Sequence, residues 1–156
     1  INNTNSTTTS GWVLIQSDVP GVAGHCEMQV AEQAITAIKA QDRTMDDFIF
    51  SHVAEAYGIS TGLALLNPGA ETADVEVKVH DTQGTLLGES NISLGMYERQ
   101  IGLLREFLPN LPAFLAGGYI RVSSNKKIIG LEIFFSRSLD FLAAVPPQSV
   151  GLNSSQ

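Results

Sequence analysis

A single cysteine, Cys26, is present in 156 residues. With no second thiol, no intrachain disulfide can form, and the fold must rest on a packed core. Charge is scarce too: Asp, Glu, Lys and Arg make up 16% of the chain, against about 25% in an average soluble domain. Solubility therefore falls to Ser, Thr, Asn and Gln, as in many exported β-proteins. Positive charge is the scarcer sign. The net charge is -7 and Lys126-Lys127 is the only adjacent basic pair, so no stripe exists to neutralise phosphates, which argues against nucleic acid as a partner. Apolar runs stop well short of the roughly 20 residues of a helical membrane span, so none is expected. There is no G-x-S-x-G elbow, no phosphate-cradling glycine loop and no calcium-loop spacing.

What is present suffices for one domain with a sizeable core, since 44% of the residues are hydrophobic. Residues 1–10 and 149–156 are rich in Ser, Thr and Asn and read as polar tails. The start at Ile1, without Met or a signal-like segment, is expected of a processed or cut chain and is compatible with export.

Strand signals dominate the middle of the chain. In Ala73 to His80, valines alternate with polar residues, which places Val75, Val77 and Val79 on a buried face and Asp74, Glu76, Lys78 and His80 on the other. The turn Asp81-Thr82-Gln83-Gly84 leads to a partner strand over 85–94. With the apolar run Thr61 to Leu66, stopped by Asn67-Pro68-Gly69, this predicts a three-stranded meander. A further strand is expected over 96–102 and one helical turn over 103–108, ended by Pro109. Residues 118–122 and 128–135 predict a hairpin across Ser124 to Lys127. Phe141 to Val145 reads as a last strand before Pro146-Pro147.

Between Glu27 and Asp47 local composition favours helix, but self-similarity favours strand. Gly11 to Asp18 aligns with Gly118 to Asn125, Val22 to His25 with Ile128 to Leu131, and Ile35 to Gln41 with Leu142 to Gln148. Residues 11–47 thus form an N-terminal arm that echoes the closing strands, 118–148, of a body spanning 48–148. A hairpin and one more strand cannot bury a core alone. The arm must therefore add to its own body or to another subunit, with Trp12, Val13, Ile15 and Val22, and their counterparts Tyr119, Ile120 and Val122, as strand-pairing residues. The fold class expected is all-β, an antiparallel β-sandwich, Ig-like or jelly-roll-like, with one short helix near 103–108.

The segments Phe50-Ser51-His52-Val53-Ala54, Thr61 to Pro68, the Asp81 to Gly84 turn and Gly118 to Ser124 together resemble a β-sandwich module repeated in tandem in secreted and cell-surface bacterial proteins. The resemblance covers about 48–148. Its matching motifs are turns and core strands, so it implies fold and export more than activity.

Candidate chemistry is thin. His25, His52 and His80 lack the spacing of a metal site. His25 and Cys26 point to opposite faces of a strand, so they cannot act as a pair, and Cys26 is expected in the core. Asp42, Asp46 and Asp47 read as a solvated turn; Glu71 with Asp74, and Glu89 with Glu98, read as surface charge. Trp12 and Tyr119 are expected in the core as matched positions of the repeat. Neither catalysis nor a cofactor is expected. The leading expectation is a structural subunit of an extracellular fibre, sheath or stalk that self-associates through the arm. The alternative is a monomeric spacer, an adhesion module or a carbohydrate-binding module using Trp12, Tyr57, Tyr97 and Tyr119.

Overall fold

The computed structural model describes residues 11–30 and 34–150; the tails expected over 1–10 and 151–156 lie outside the described residues. In chain order the strands are β1 (His25–Val30), β2 (Ala34–Lys39), β3 (Met45–Phe50), β4 (Ala54–Glu55), β5 (Ile59–Leu66), β6 (Ala73–His80), β7 (Leu86–Leu94) and β8 (Arg99–Leu103). The helical turn α1 (Leu104–Phe107) follows, then β9 (Leu115–Ala116), β10 (Tyr119–Ser136), β11 (Leu142–Val145) and β12 (Gln148–Ser149). The protein is all-β and antiparallel, arranged as an open sandwich.

One strand organises the whole. The first half of β10 pairs with β6 on one side and β3 on the other, and its second half pairs with β5 and β11. Two sheets therefore share β10: the first runs β12-β3-β10-β6-β7, the second β11-β10-β5-β8. Between them lies a core of Phe48, Phe50, Leu63, Leu65, Val75, Val77, Val79, Leu94, Ile120, Val122 and Ile128, closed at one end by Leu104, Phe107 and Leu108 around α1. The aromatic pair Phe48–Phe50 meets edge to face at 5.6 Å. At Gly130 a Cβ would lie 2.7 Å from a ring carbon of Phe48, so β10 needs glycine to approach that pair.

Local chemistry explains the turns. Asp81 Oδ1 accepts the N–H groups of Gln83 and Thr85, each at 2.8 Å, and Gly84 takes a positive φ to close the β6–β7 hairpin. Asn67 is buried and ties three segments: its amide donates to the carbonyls of Glu71, Leu94 and Gly95, while its Oδ1 accepts the N–H of Gly69. The Glu106 carboxylate accepts the Leu103 N–H at 2.8 Å at the start of α1.

The alternation in β6 is as expected: Val75, Val77 and Val79 are buried, Asp74 is exposed, and Glu76, Lys78 and His80 are half-buried beside neighbouring strands. Four expectations are corrected. Residues 118–136 form no hairpin, because residues 119–124 pair with β6 and 129–136 with β5 rather than with each other; β10 runs straight through, with a register shift against β3 between Ser123 and Ile128. The meander fails because β5 pairs with β10 and β8, not with β6. The expected strand over 96–102 begins only at Arg99, since Tyr97 at φ 56 makes a turn. Finally, Gly11 to Gly24 form no strand, having no ladder partner among the described residues. Residues 35–39 do lie in a strand, β2, which forms a hairpin with β1.

Candidate interaction surfaces

The outer faces of the two sheets differ in kind. On the first sheet the outward positions are charged and cross-linked. Arg121 grips Asp47 through two hydrogen bonds of 2.9 and 2.7 Å, and Lys78 pairs with Glu76 at 2.7 Å. The Asp47 carboxylate holds the Arg121 guanidinium charged more firmly than usual, and the Lys78 bond lowers the pKa of Glu76. A shallow groove of about 520 Å³ crosses this face, lined by Asp74, Glu76, Asn91, Ser93, Ser123 and Asn125 among others. Several of its polar groups already bond one another: Asn125 and Ser93 donate to Asp74, and Ser123 to Glu76. Glu71 pairs with Lys126, whose hydrogen bond lowers its pKa.

On the second sheet the outward positions are apolar. Register aligns Ile101 with Ala64 and Leu131, Leu103 with Gly62, Ile133 and Ala144, and Phe135 with Leu142. These side chains are exposed or half-exposed, while Leu63, Leu65, Gly130 and Phe134 fill the inner face. An antiparallel sheet with one wet face alternates apolar with polar; strands that are apolar on both faces belong to sheets covered on both sides. Among these outward residues only Arg99 carries charge and only Ser60 adds a hydroxyl.

The arm begins at the rim of this apolar face. Arg99 Nη1 donates to the Gly11 carbonyl at 2.9 Å, and the Trp12 indole N–H points at the Tyr97 carbonyl at 3.4 Å, with the two rings 6.2 Å apart. Beyond Gly24, whose carbonyl accepts the Ala40 N–H, the arm folds into the β1–β2 hairpin, and that hairpin meets the body. Thr36 of β2 accepts the Ala144 N–H, and Gln41 donates to the Gly130 carbonyl. Between those anchors Val13, Leu14, Ile15, Val19 and Val22 are 59–85% exposed. Of the strand-pairing residues expected, the four in the arm are thus in no strand, whereas Ile120 and Val122 are buried in β10 and Tyr119 stacks on His80 at 4.7 Å. Trp12 is not a core residue, being 37% exposed, and Cys26 is exposed on β1 rather than buried, because the β1–β2 hairpin is not inserted between the sheets.

A small pocket of about 170 Å³ lies where β4, the Tyr57-Gly58 turn and the loop before β9 meet. Tyr57, 86% exposed at a positive φ of 54, packs edge to face against exposed Phe114 at 4.9 Å, with Arg137 among the lining residues. Beneath, buried Glu55 accepts from the Thr61 N–H at 2.9 Å and from Arg105 at 3.0 Å, and Arg105 also donates to the carbonyls of Leu111, Pro112 and Ala113. That arginine anchors the loop. Trp12 and Tyr97, Tyr57 and Phe114, and Tyr119 and His80 form separate pairs, so the aromatics expected for a carbohydrate platform are not brought into one pairwise stack.

Among the described residues no group of three or more His, Cys, Asp and Glu could hold a metal ion. His25 lies 3.5 Å from Glu27, while His52 meets the ring of Phe134 edge to face. Asp42 pairs with Arg43 and Lys39, whereas Asp47 belongs to Arg121.

The sequence reading missed Glu132. It sits on the inner face of β10, is 0% exposed, and neither carboxylate oxygen has a hydrogen-bond partner. Burial pushes its pKa up to about 8. The signal was a lone acid inside the apolar run Ile128 to Phe135, in phase with Gly130 and Phe134. The dry outer face was legible in the same way, from the lack of alternation in β5 and late β10.

No family model matches the chain, and no curated protein matches it. Among solved structures it is similar to Anabaena sensory rhodopsin transducer, at 12% identity and a TM-score of 0.49, over 60% of this chain and 99% of that one.

Proposed function

We propose that the chain is a non-catalytic structural subunit of an extracellular bacterial assembly, a fibre, sheath or stalk, in which copies associate through the N-terminal arm. The observation that supports it most is the solvated arm: Val13, Leu14, Ile15, Val19 and Val22 expose apolar side chains in one short segment, the kind of surface that calls for a partner. An arm given by one copy and received by the next makes a head-to-tail contact, and such contacts propagate rather than close. Sparse charge and the resemblance to repeated surface modules support export. Negative-stain electron microscopy of the concentrated chain tests the reading. Filaments or sheets are expected, shortened by a synthetic peptide of residues 11–41; a field of single particles at every concentration contradicts it.

A second reading is a monomeric spacer, adhesion or carbohydrate-binding module of a longer surface protein. It is favoured by the cis contacts at both ends of the arm and by the exposed Tyr57–Phe114 pair beside Arg137. Glycan-array binding lost in Tyr57→Ala, with folding intact, decides for it.

A further inference from the structure

An arm that leaves its own body needs a seat on another, and the dry outer face of the second sheet is the surface that fits it. We propose that residues 13–22 of one copy lie across the outer face of the second sheet of a second copy, on Ile101, Leu103, Leu66, Leu131, Ile133 and Phe135. This rests on the self-association reading and deepens it: the arm lands on a sheet face rather than completing a sheet edge.

Dimensions agree. Four strands spaced about 4.8 Å apart, crossed over seven residues of β5, give a face of roughly 20 Å by 20 Å, or about 400 Å². Residues 13–22 would span about 33 Å if fully extended; with the bend over 18–20 and the positive φ of Gly21 the reach is shorter, set against a face of roughly 20 Å. The chemistry agrees too. The arm from Gly11 to Gly24 carries one charge, Asp18, and the outward face carries one of opposite sign, Arg99. Everything else that meets is apolar or uncharged, so Asp18 is the single charge the arm brings to the contact.

The arm's tethers favour a second copy over the same one. Gly11 is held by Arg99, and the β1–β2 hairpin that follows Gly24 is held to the body by the Thr36–Ala144 and Gln41–Gly130 hydrogen bonds. Between these fixed points the apolar side chains stay largely uncovered by their own molecule, with Val13 85% exposed. A contact burying about 400 Å² on each partner is half the size of a standard interface of about 800 Å² per partner. Each copy in a chain makes two of them, one as donor and one as acceptor. Assembly is therefore expected to be weak per contact and to grow with concentration.

The test uses the full chain with Cys26→Ser. One preparation carries Ile15→Cys, another Leu131→Cys, and the two are mixed and oxidised. The expected result is a mixed disulfide dimer that predominates over either homodimer. In parallel, Leu131→Glu should abolish the larger species in sedimentation while the melting temperature and far-UV spectrum stay unchanged, because position 131 faces outward. Assembly that survives Leu131→Glu, with no mixed dimer, overturns the proposed seat and leaves self-association standing. A doubly substituted chain that closes on itself as a monomer overturns it in favour of the chain's own arm. A Cys26→Ser chain that stays monomeric at all concentrations overturns the functional reading and this inference with it. Binding to zwitterionic vesicles, lost in Leu131→Glu, would assign the face to lipid and likewise overturn the seat.

Discussion

Replacing Glu132 by methionine should stabilise the protein, and by an amount that depends on pH. The side chain is fully enclosed between Gly130 and Phe134 on β10, opposite Leu63 of β5, with no partner for either oxygen. Its pKa is pushed from 4.5 up to about 8 by loss of solvent. A raised folded-state pKa means that the unfolded chain ionises first. The group's contribution is most favourable below pH 4.5 and is lost as pH rises through about 8. One unit of separation corresponds to about 1.4 kcal/mol, so the penalty is about 1 kcal/mol at pH 5, about 3 at pH 7 and about 5 at pH 9. Methionine has similar length, no charge to desolvate and no unmet hydrogen bond. Urea denaturation followed by far-UV circular dichroism at those three pH values is the assay. The variant should gain over the parent by increasing amounts from pH 5 to pH 9, with unchanged slope in urea. Equal stability at all three values, or a loss, would mean that the carboxylate finds water or a partner, and that the burial argument fails.

Other perturbations probe the frame. Val77→Asp places a charge in the core at a position with no exposure and should cost several kcal/mol, read by thermal melting; unchanged melting would contradict the strand phase. Asn67→Ala removes four hydrogen bonds, two within the β5–β6 turn and two from it to the end of β7, and about 2–4 kcal/mol is expected from leaving buried carbonyls unpaired. Arg105→Ala leaves buried Glu55 without its cation, at a cost of about 3–5 kcal/mol, with the 108–113 loop becoming the first site of proteolysis.

Much of the frame could be read from residue order because one face of a strand was wet. The period of two in β6 fixed its buried valines, and Asp81 to Gly84 marked its turn. Where both faces are apolar, as in β5 and late β10, period carries no information about pairing, and the meander places β5 beside β6 when its neighbours are β10 and β8. Ser124 to Lys127 looked like a turn because four polar residues divide two apolar runs. They are polar because β10 emerges there while passing from one sheet to the next. The arm shows the opposite error: Trp12 to Val22 has core composition, but composition cannot say whether a core lies within the chain or in another. Glu132 was overlooked because a charged residue in a strand is ordinarily turned outward, and only its phase with Gly130 shows that it is not.

Association through the arm is decided by sedimentation velocity of the intact chain beside a Val13→Asp, Ile15→Asp double variant across a wide concentration range. A concentration-dependent rise in sedimentation coefficient is expected for the intact chain, and for the variant a single folded monomer with the same melting temperature. Identical monomeric behaviour of both chains, or association that is indifferent to the two charges, would contradict it.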